Sequence, residues 1–323
     1  MSISFDDLRA MADKQTELAH KYRKELGFTP HAIEGNFIAF LGRQFSPNYF
    51  WNRALKPLWG GIYIKYNNLE LMIDPGINTL QRAQHLGINL SKTNALFISH
   101  AHTDHANDAN VVSEMVTYRN TEDLKLLMSK KTLDDGVINQ YHLNLHTSKN
   151  AVNLLEDRKT IELGEDISIT PIKVCHSIEG SFGFLLDLKS ICIGYTADTG
   201  FYKTYKTQTG SFPVEDIKNK EEVLAPGIFN DELIKVFQKA NILAFNLHDV
   251  DFRAHSAHSL YHSTVPGAIE LLKNSSIDLC IFDHFNPHGS LGADYPNMVH
   301  QYIKEQTKKL SHFVGLEGRV ISI

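Results

Sequence analysis

Two β-sheets packed face to face and covered by helices, an αββα sandwich of the α/β class, form the architecture that this 323-residue sequence predicts. Three observations lead to it. Short apolar, strand-like runs alternate with a few helix-like stretches from about residue 37 to residue 282. Hydrophobic residues make up 42% of the chain, enough to fill a substantial core. No internal repeat or low-complexity segment divides the sequence, so the runs belong to one unit.

The elements follow in order. Phe5, Leu8, Met11, Ala12, Leu18, Ala19, Tyr22 and Leu26 fall near one stripe of an amphipathic helix over 4–26, with Gly27 as a stop signal. Strands are predicted at about 37–41, 60–66 and 69–74, then a helix near 78–86 and a strand at 95–99. Residues 108–119 suit a helix, which places Asp104 and His105 near a helix start. Strands recur at about 167–174, 182–188 and 191–196. Residues 201–230 hold Pro213, Pro226, several glycines and many polar groups, and are read as an insertion or lid. A short helix at 233–240, a strand at 241–247, a helix at 264–273 and a strand at 277–282 complete the pattern. The division expected is an N-terminal helical extension over 1–30 and a single domain over 31–323.

Charge and cysteine usage narrow the functional classes. A net charge of −5 lacks the basic character of a general nucleic-acid binder, and Lys203, Lys206 and Lys218 read as a solvated face. Cys175, Cys192 and Cys280 form an odd set without a CxxC, each in an apolar, strand-like run. They read as reduced core residues of a cytoplasmic protein. The N-terminus has no charged-then-apolar signal pattern, and no apolar run approaches the roughly 20 residues of a membrane span.

The chemistry is concentrated after the run Ala95-Leu96-Phe97-Ile98. His100, His102, Asp104 and His105 lie within six residues, and neutral imidazole and carboxylate are the ligands that suit zinc and similar divalent ions. One tight loop at a strand end can aim some of these side chains at one ion and the rest at a second. This His-x-His-x-Asp-His loop resembles the signature of the metallo-β-lactamase fold, and the resemblance runs from about Phe37 to the C-terminus. Residues 60–64 and 69–76 resemble the strand pair that ends in the first Asp of that fold, here Asp74. Residues 79–99 resemble the helix and strand that lead into the metal loop of ribonuclease Z. Val174-Cys175-His176, Tyr195-Thr196-Ala197-Asp198-Thr199-Gly200, His262-Ser263-Thr264 and Phe282-Asp283-His284-Phe285 are similar to the later motifs of the ribonuclease Z branch.

The resemblance implies a site with two divalent ions, zinc or alternatively manganese. His100, His102 and His176 would hold one, Asp104, His105 and His284 the other, and Asp198 would bridge them. Asp74 is expected to support the loop by hydrogen bonding. Such a pair suits phosphodiester hydrolysis by a hydroxide held between the ions, since bound water can be acidified to a pKa of about 7. Asp104 and His262 are the catalytic candidates, His262 as the proton donor to the leaving group.

Two departures qualify the likeness. Asn246 falls where ribonuclease Z has the glutamate that partners this histidine, leaving His248 or Asp249 to serve. Residues 177–197 leave room for a hairpin but not for the transfer-RNA arm of that branch. In this the chain is similar to the anti-Pycsar cyclic-nucleotide phosphodiesterases. His255, His258, Ser263 and Thr264 are candidate substrate contacts, and the resemblance implies a homodimer. The expected activity is a dinuclear phosphodiesterase on nucleotides, with a cyclic nucleotide favoured. The alternatives are an endonuclease on RNA or DNA, a lactone or ester hydrolase, and a non-catalytic metal-binding sensor.

Overall fold

The computed structural model of the chain describes residues 9–15, 17, 33–42, 60–117, 124–146, 151–217, 222–251, 260–284, 294–313 and 318–323. Its strands assemble into the predicted sandwich. The first sheet contains β1 (Phe37–Phe40), β2 (Ile62–Tyr66), β3 (Leu69–Ile73), β4 (Ala95–Ile98), β5 (Lys125–Met128), β6 (Val152–Leu154) and β18 (Arg319–Ser322). Their spatial order is β18-β1-β2-β3-β4-β5-β6, antiparallel up to β3 and parallel from β3 to β6. The second sheet contains β7 (Ile161–Gly164), β8 (Ile167–Lys173), β9 (Phe182–Leu188), β10 (Cys192–Tyr195), β14 (Ile242–Asp249), β16 (Leu279–Asp283) and β17 (Leu310–Phe313). It runs β17-β16-β14-β10-β9-β8-β7, with β15 (Ser263–Thr264) paired to β14.

Period-two alternation explains why the sheets stack. In β4, Ala95 and Phe97 enter the core between the sheets, while Leu96 and Ile98 enter the core beneath the helices. In β1, Ile38 and Phe40 face inward, and Phe37 and Ala39 face outward. Phe97 and Phe184, from opposite sheets, meet edge to face at 4.8 Å between ring centroids. The outer face of the first sheet is covered by helices Thr79–His85 and Ala109–Thr117, through Ala83, Val112 and Val116. That of the second is covered by helices Asp231–Phe237, Val265–Leu272 and Asp294–Thr307, through Phe237, Leu271 and Ile303.

Two expectations are refined. The 201–230 segment is a small sheet in its own right, β12 (Ser211–Pro213), β11 (Thr204–Thr207) and β13 (Val223–Pro226), closed at its root by a Tyr202–Phe229 bridge. Lys203 and Lys206 are exposed on it, and Lys218 lies outside the described residues. The cysteines are free, but only Cys280 is a core residue. Cys192 is half-buried at the start of β10, and Cys175 lies past the end of β8, where the strand has already stopped at Lys173. Residues 9–15 are helical, while the rest of the predicted 4–26 helix, apart from Glu17, lies outside the described residues. Among the described residues no helix is long and apolar enough to cross a membrane.

Candidate metal centre

The candidate ligands and Asp74 gather at one end of the sandwich because each lies just past the end of a strand. Asp74 succeeds β3, the histidine loop β4, His176 β8, Asp198 β10 and His284 β16. Three of the turning points, Asp74 (φ 47), Ala197 (φ 49) and His284 (φ 61), have left-handed backbone, which non-glycine residues adopt at a cost and which collects at functional sites. Gly76 allows the loop to close over β3: a Cβ there would lie 2.0 Å from the Asp104 carbonyl oxygen.

Asp74 is fully buried, so its carboxylate needs donors. Ser99 supplies its backbone N–H at 2.7 Å and its hydroxyl at 2.6 Å, Tyr195 its hydroxyl at 2.6 Å, and His105 its Nδ1 at 2.9 Å. The carboxylate therefore ties the histidine loop of the first sheet to β10 of the second. It also fixes His105 with Nε2 turned toward the site. Burial and the adjacent Asp74 carboxylate push the Tyr195 hydroxyl well up, so it remains a donor. The sequence pattern alone does not mark Ser99 and Tyr195 as partners of Asp74. The available signal was Tyr195 at the end of an apolar strand, where a buried hydroxyl must find a partner.

Six ring nitrogens and carboxylate oxygens then form two triads. His100 Nε2 and His176 Nε2 lie 3.0 and 3.1 Å from His102 Nδ1. His284 Nε2 lies 3.3 Å from both His105 Nε2 and Asp104 Oδ2. Each triad takes two residues from the loop after β4 and one from the second sheet. Asp198 Oδ2 stands between them, 3.4 Å from His105 Nε2, 3.4 Å from His284 Nε2 and 3.9 Å from His176 Nε2.

The donor chemistry of the first triad fits a cation. The single Ser99 hydroxyl proton goes to Asp74, so His100 Nδ1, 2.9 Å from that oxygen, must be the donor, leaving Nε2 bare. His176 Nδ1 faces the Tyr261 carbonyl at 3.4 Å, which likewise leaves its Nε2 bare. Burial foremost, with the like charges of neighbouring histidines, holds His100, His102 and His176 below the usual imidazole range. Two lone pairs thus converge on His102 Nδ1, which can offer at most one proton. Nitrogens bound to one tetrahedral ion at about 2.0–2.1 Å would stand roughly 3.3–3.4 Å apart, close to the observed spacing. In the second triad, burial works to raise the Asp104 carboxyl, but the His284 hydrogen bond and the charges of His105 and His284 outweigh it and bring it down to about 2. Asp198 is held well below the usual carboxylate range in the same way, by His284 and His105 against its burial.

His262 completes the cluster, with Nε2 3.3 Å from Asp198 Oδ2. Its ring lies against His248 at 4.1 Å between centroids. His248 Nδ1 lies 3.3 Å from Asp249 Oδ2 without the alignment of a hydrogen bond. Asn246 faces Asp198 instead, donating from Nδ2 to Asp198 Oδ1 at 2.8 Å. The residue at the glutamate position thus holds the shared carboxylate, and the neighbour of His262 is His248. Ser263 and Thr264 are buried at 1% and 2% exposure. The Ser263 hydroxyl donates to the Asn246 carbonyl, and the Thr264 side chain lies beside Tyr202. His255 and His258 lie outside the described residues.

Comparison with known proteins agrees with the geometry. A metallo-β-lactamase fold protein of Bacillus subtilis, YhfI, superposes with a TM-score of 0.63 at 14% identity, covering 89% of this chain and 99% of that one. An uncharacterized protein of Methanocaldococcus jannaschii is 33% identical over 157 residues, 45% of this chain and 56% of that protein. A ribonuclease Z of Sulfolobus acidocaldarius is 31% identical over 130 residues, 40% of this chain and 42% of that enzyme. The chain thus spans about half the length of the curated relatives it matches. The pattern of the anti-Pycsar protein Apyc1 family matches residues 42–215, more than half of the chain and all of the site from Asp74 to Asp198. With the metallo-β-lactamase fold beneath it and that pattern running through its histidine loop, the chain belongs to the anti-Pycsar protein Apyc1 family.

Proposed function

We propose that this protein is a metal-dependent phosphodiesterase that hydrolyses nucleotides, with a cyclic nucleotide as its preferred substrate and two divalent ions, zinc or manganese, as cofactors. The observation that carries the reading is the placement of Asp198 Oδ2 between two ligand triads with His262 Nε2 3.3 Å from the same oxygen. His100, His102 and His176 would hold one ion, Asp104, His105 and His284 the other, and Asp198 both. Bound there, the pair would acidify a water and neutralise charge building on the phosphoryl oxygens. His262 would hold a proton at Nε2 and deliver it to the leaving alkoxide, a contribution worth about 10²–10⁴-fold in rate. Asn246 keeps Asp198 oriented, and Asp74 keeps His105 oriented.

Two features support a small substrate. Between His176 and Asp198 the chain makes only the β9–β10 hairpin. The chain is acidic overall, whereas binding a long nucleic acid rests on many lysine and arginine contacts and weakens steeply with salt. A panel of cyclic nucleotides, single-stranded RNA, DNA, transfer-RNA precursor and a lactone, assayed with zinc and with manganese, tests the reading. Hydrolysis of at least one cyclic nucleotide, little changed between low and physiological salt, is expected, with poor cleavage of the transfer-RNA precursor. Salt-sensitive cleavage of RNA without activity on any cyclic nucleotide would replace it with a nuclease, and turnover of the lactone alone with an ester hydrolase.

A further inference from the structure

The small sheet after Asp198 has a core of its own. Tyr202, Tyr205 and Val214 pack with Leu260, and Cys175, Ile217, Val223, Phe229 and Tyr261 lie against them. Its fully buried residues belong to none of the cores of the two main sheets, and Phe229 links it to the core beneath the second sheet. The residues it gathers from outside the small sheet are Cys175, next to His176, and Leu260 and Tyr261, which lead into His262. The insertion is therefore packed against the segments that carry two residues of the centre.

Its polar contacts converge on the same segment. Tyr205 is fully buried, and its hydroxyl donates to the Leu260 carbonyl at 3.1 Å. The Tyr261 hydroxyl donates back to the Val214 carbonyl at 3.4 Å. Tyr202, stacked on Phe229 at 4.5 Å, neighbours the Thr264 side chain on the far side of His262. Gly200, at the root of the insertion, approaches so closely that a Cβ would lie 2.6 Å from the Leu260 carbonyl oxygen. Residues 260 and 261 are thus hydrogen-bonded to the insertion immediately before His262, and Thr264 lies beside Tyr202 just after it. By contrast, the outer side of the insertion exposes Phe212, Leu224 and Ile228.

We infer that the 202–229 sheet is a brace that positions His262, with Tyr205 as its principal positioning residue. The brace holds His262 beside Asp198 although no regular strand or helix carries it: β15 begins only at Ser263. The inference rests on the proposed role of His262 as proton donor. It differs from a lid, which would act on substrate entry and retention.

Tyr205→Phe removes one hydroxyl and keeps the ring. On a phosphodiester with a poor leaving group it should lower kcat by about 10-fold or more, since misplacement of a catalytic group by about 1 Å can cost 10²-fold. KM and metal content should stay unchanged, and an activated aryl phosphodiester, whose leaving group needs no proton, should be hydrolysed almost normally. Because Tyr205 acts through His262, Tyr205→Phe should cause no further loss in a His262→Ala background. Tyr261→Phe, at a half-buried position, should repeat the pattern more weakly and covers the case in which Tyr205→Phe folds poorly. Phe212→Ser, on the exposed strand of the insertion, serves as the control. Losses that multiply in the double variant, or that fall on KM with both substrates, would overturn the brace in favour of a lid. If the wild type hydrolyses no phosphodiester, the proposed function falls on its own. The brace is then read from the imidazole nitrogen resonances of His262, which Tyr205→Phe should shift, and which would refute it by staying in place.

Discussion

At the scale of single residues, the centre sets carboxylates against histidines in a medium that penalises both charges. His105 and His284 are buried, which opposes their protonation, yet Asp198, helped by Asp104, raises both above the usual imidazole range. In protein stripped of metal by a chelator, those protons stabilise the fold fully below about pH 6.5, the unfolded value. That contribution is lost as the pH rises through the raised values. Metal affinity runs the other way, because the protons must leave before the nitrogens can bind. Zinc binding near neutral pH should therefore release protons. Calorimetric titration of the chelated protein in two buffers of different ionisation enthalpy checks this: the apparent heat should depend on the buffer. It should depend less in Asp198→Ala, which lacks the carboxylate that raises both histidines, and a buffer-independent heat would refute the account.

At the scale of elements, the site depends on how closely the histidine loop can approach the end of β3. Gly76→Ala would drive a methyl group into the Asp104 carbonyl, and backbone cannot yield as a side-chain tip can. Overpacking of this kind costs about 1–3 kcal/mol, and here the displaced element carries Asp104 and His105. The variant should unfold at lower urea concentration and retain less metal, both measurable on the purified protein. The central strands β1–β4, β8–β10, β14 and β16 and the histidine loop were legible in the sequence, because period-two alternation in β1 and β4, and four ligand-type residues in one loop, are local signals, whereas β5, β6, β7, β17 and β18 were not read from it. The role of the insertion was not, because Tyr205 finds Leu260 across 55 residues. The same holds for Asn246, whose attachment to Asp198 spans 48 residues. The sequence placed Cys175 in a strand because an apolar run does not reveal where pairing stops, and β8 stops at Lys173.

At the scale of the whole molecule, the two sheets meet over a shared apolar core, and the centre lies across their joint at one end. The joint is also fastened through backbone and carboxylate: Phe182 N–H donates to the Ser99 carbonyl at 3.0 Å, and Asp74 accepts from Tyr195. Each triad draws two residues from the first sheet and one from the second, and in the second triad the link from His105 to His284 spans 179 residues. Such a link bears on time as well as on affinity. Contacts so distant in sequence form late, after most of the chain has found its place. An ion that joins them strengthens interactions absent from the folding transition state, and stabilisation of that kind slows unfolding while leaving folding almost unchanged. Stopped-flow measurements with and without a chelator should therefore differ in the unfolding limb and coincide in the refolding limb. The centre would then act as a clasp on the finished sandwich, setting how long the native state persists once formed.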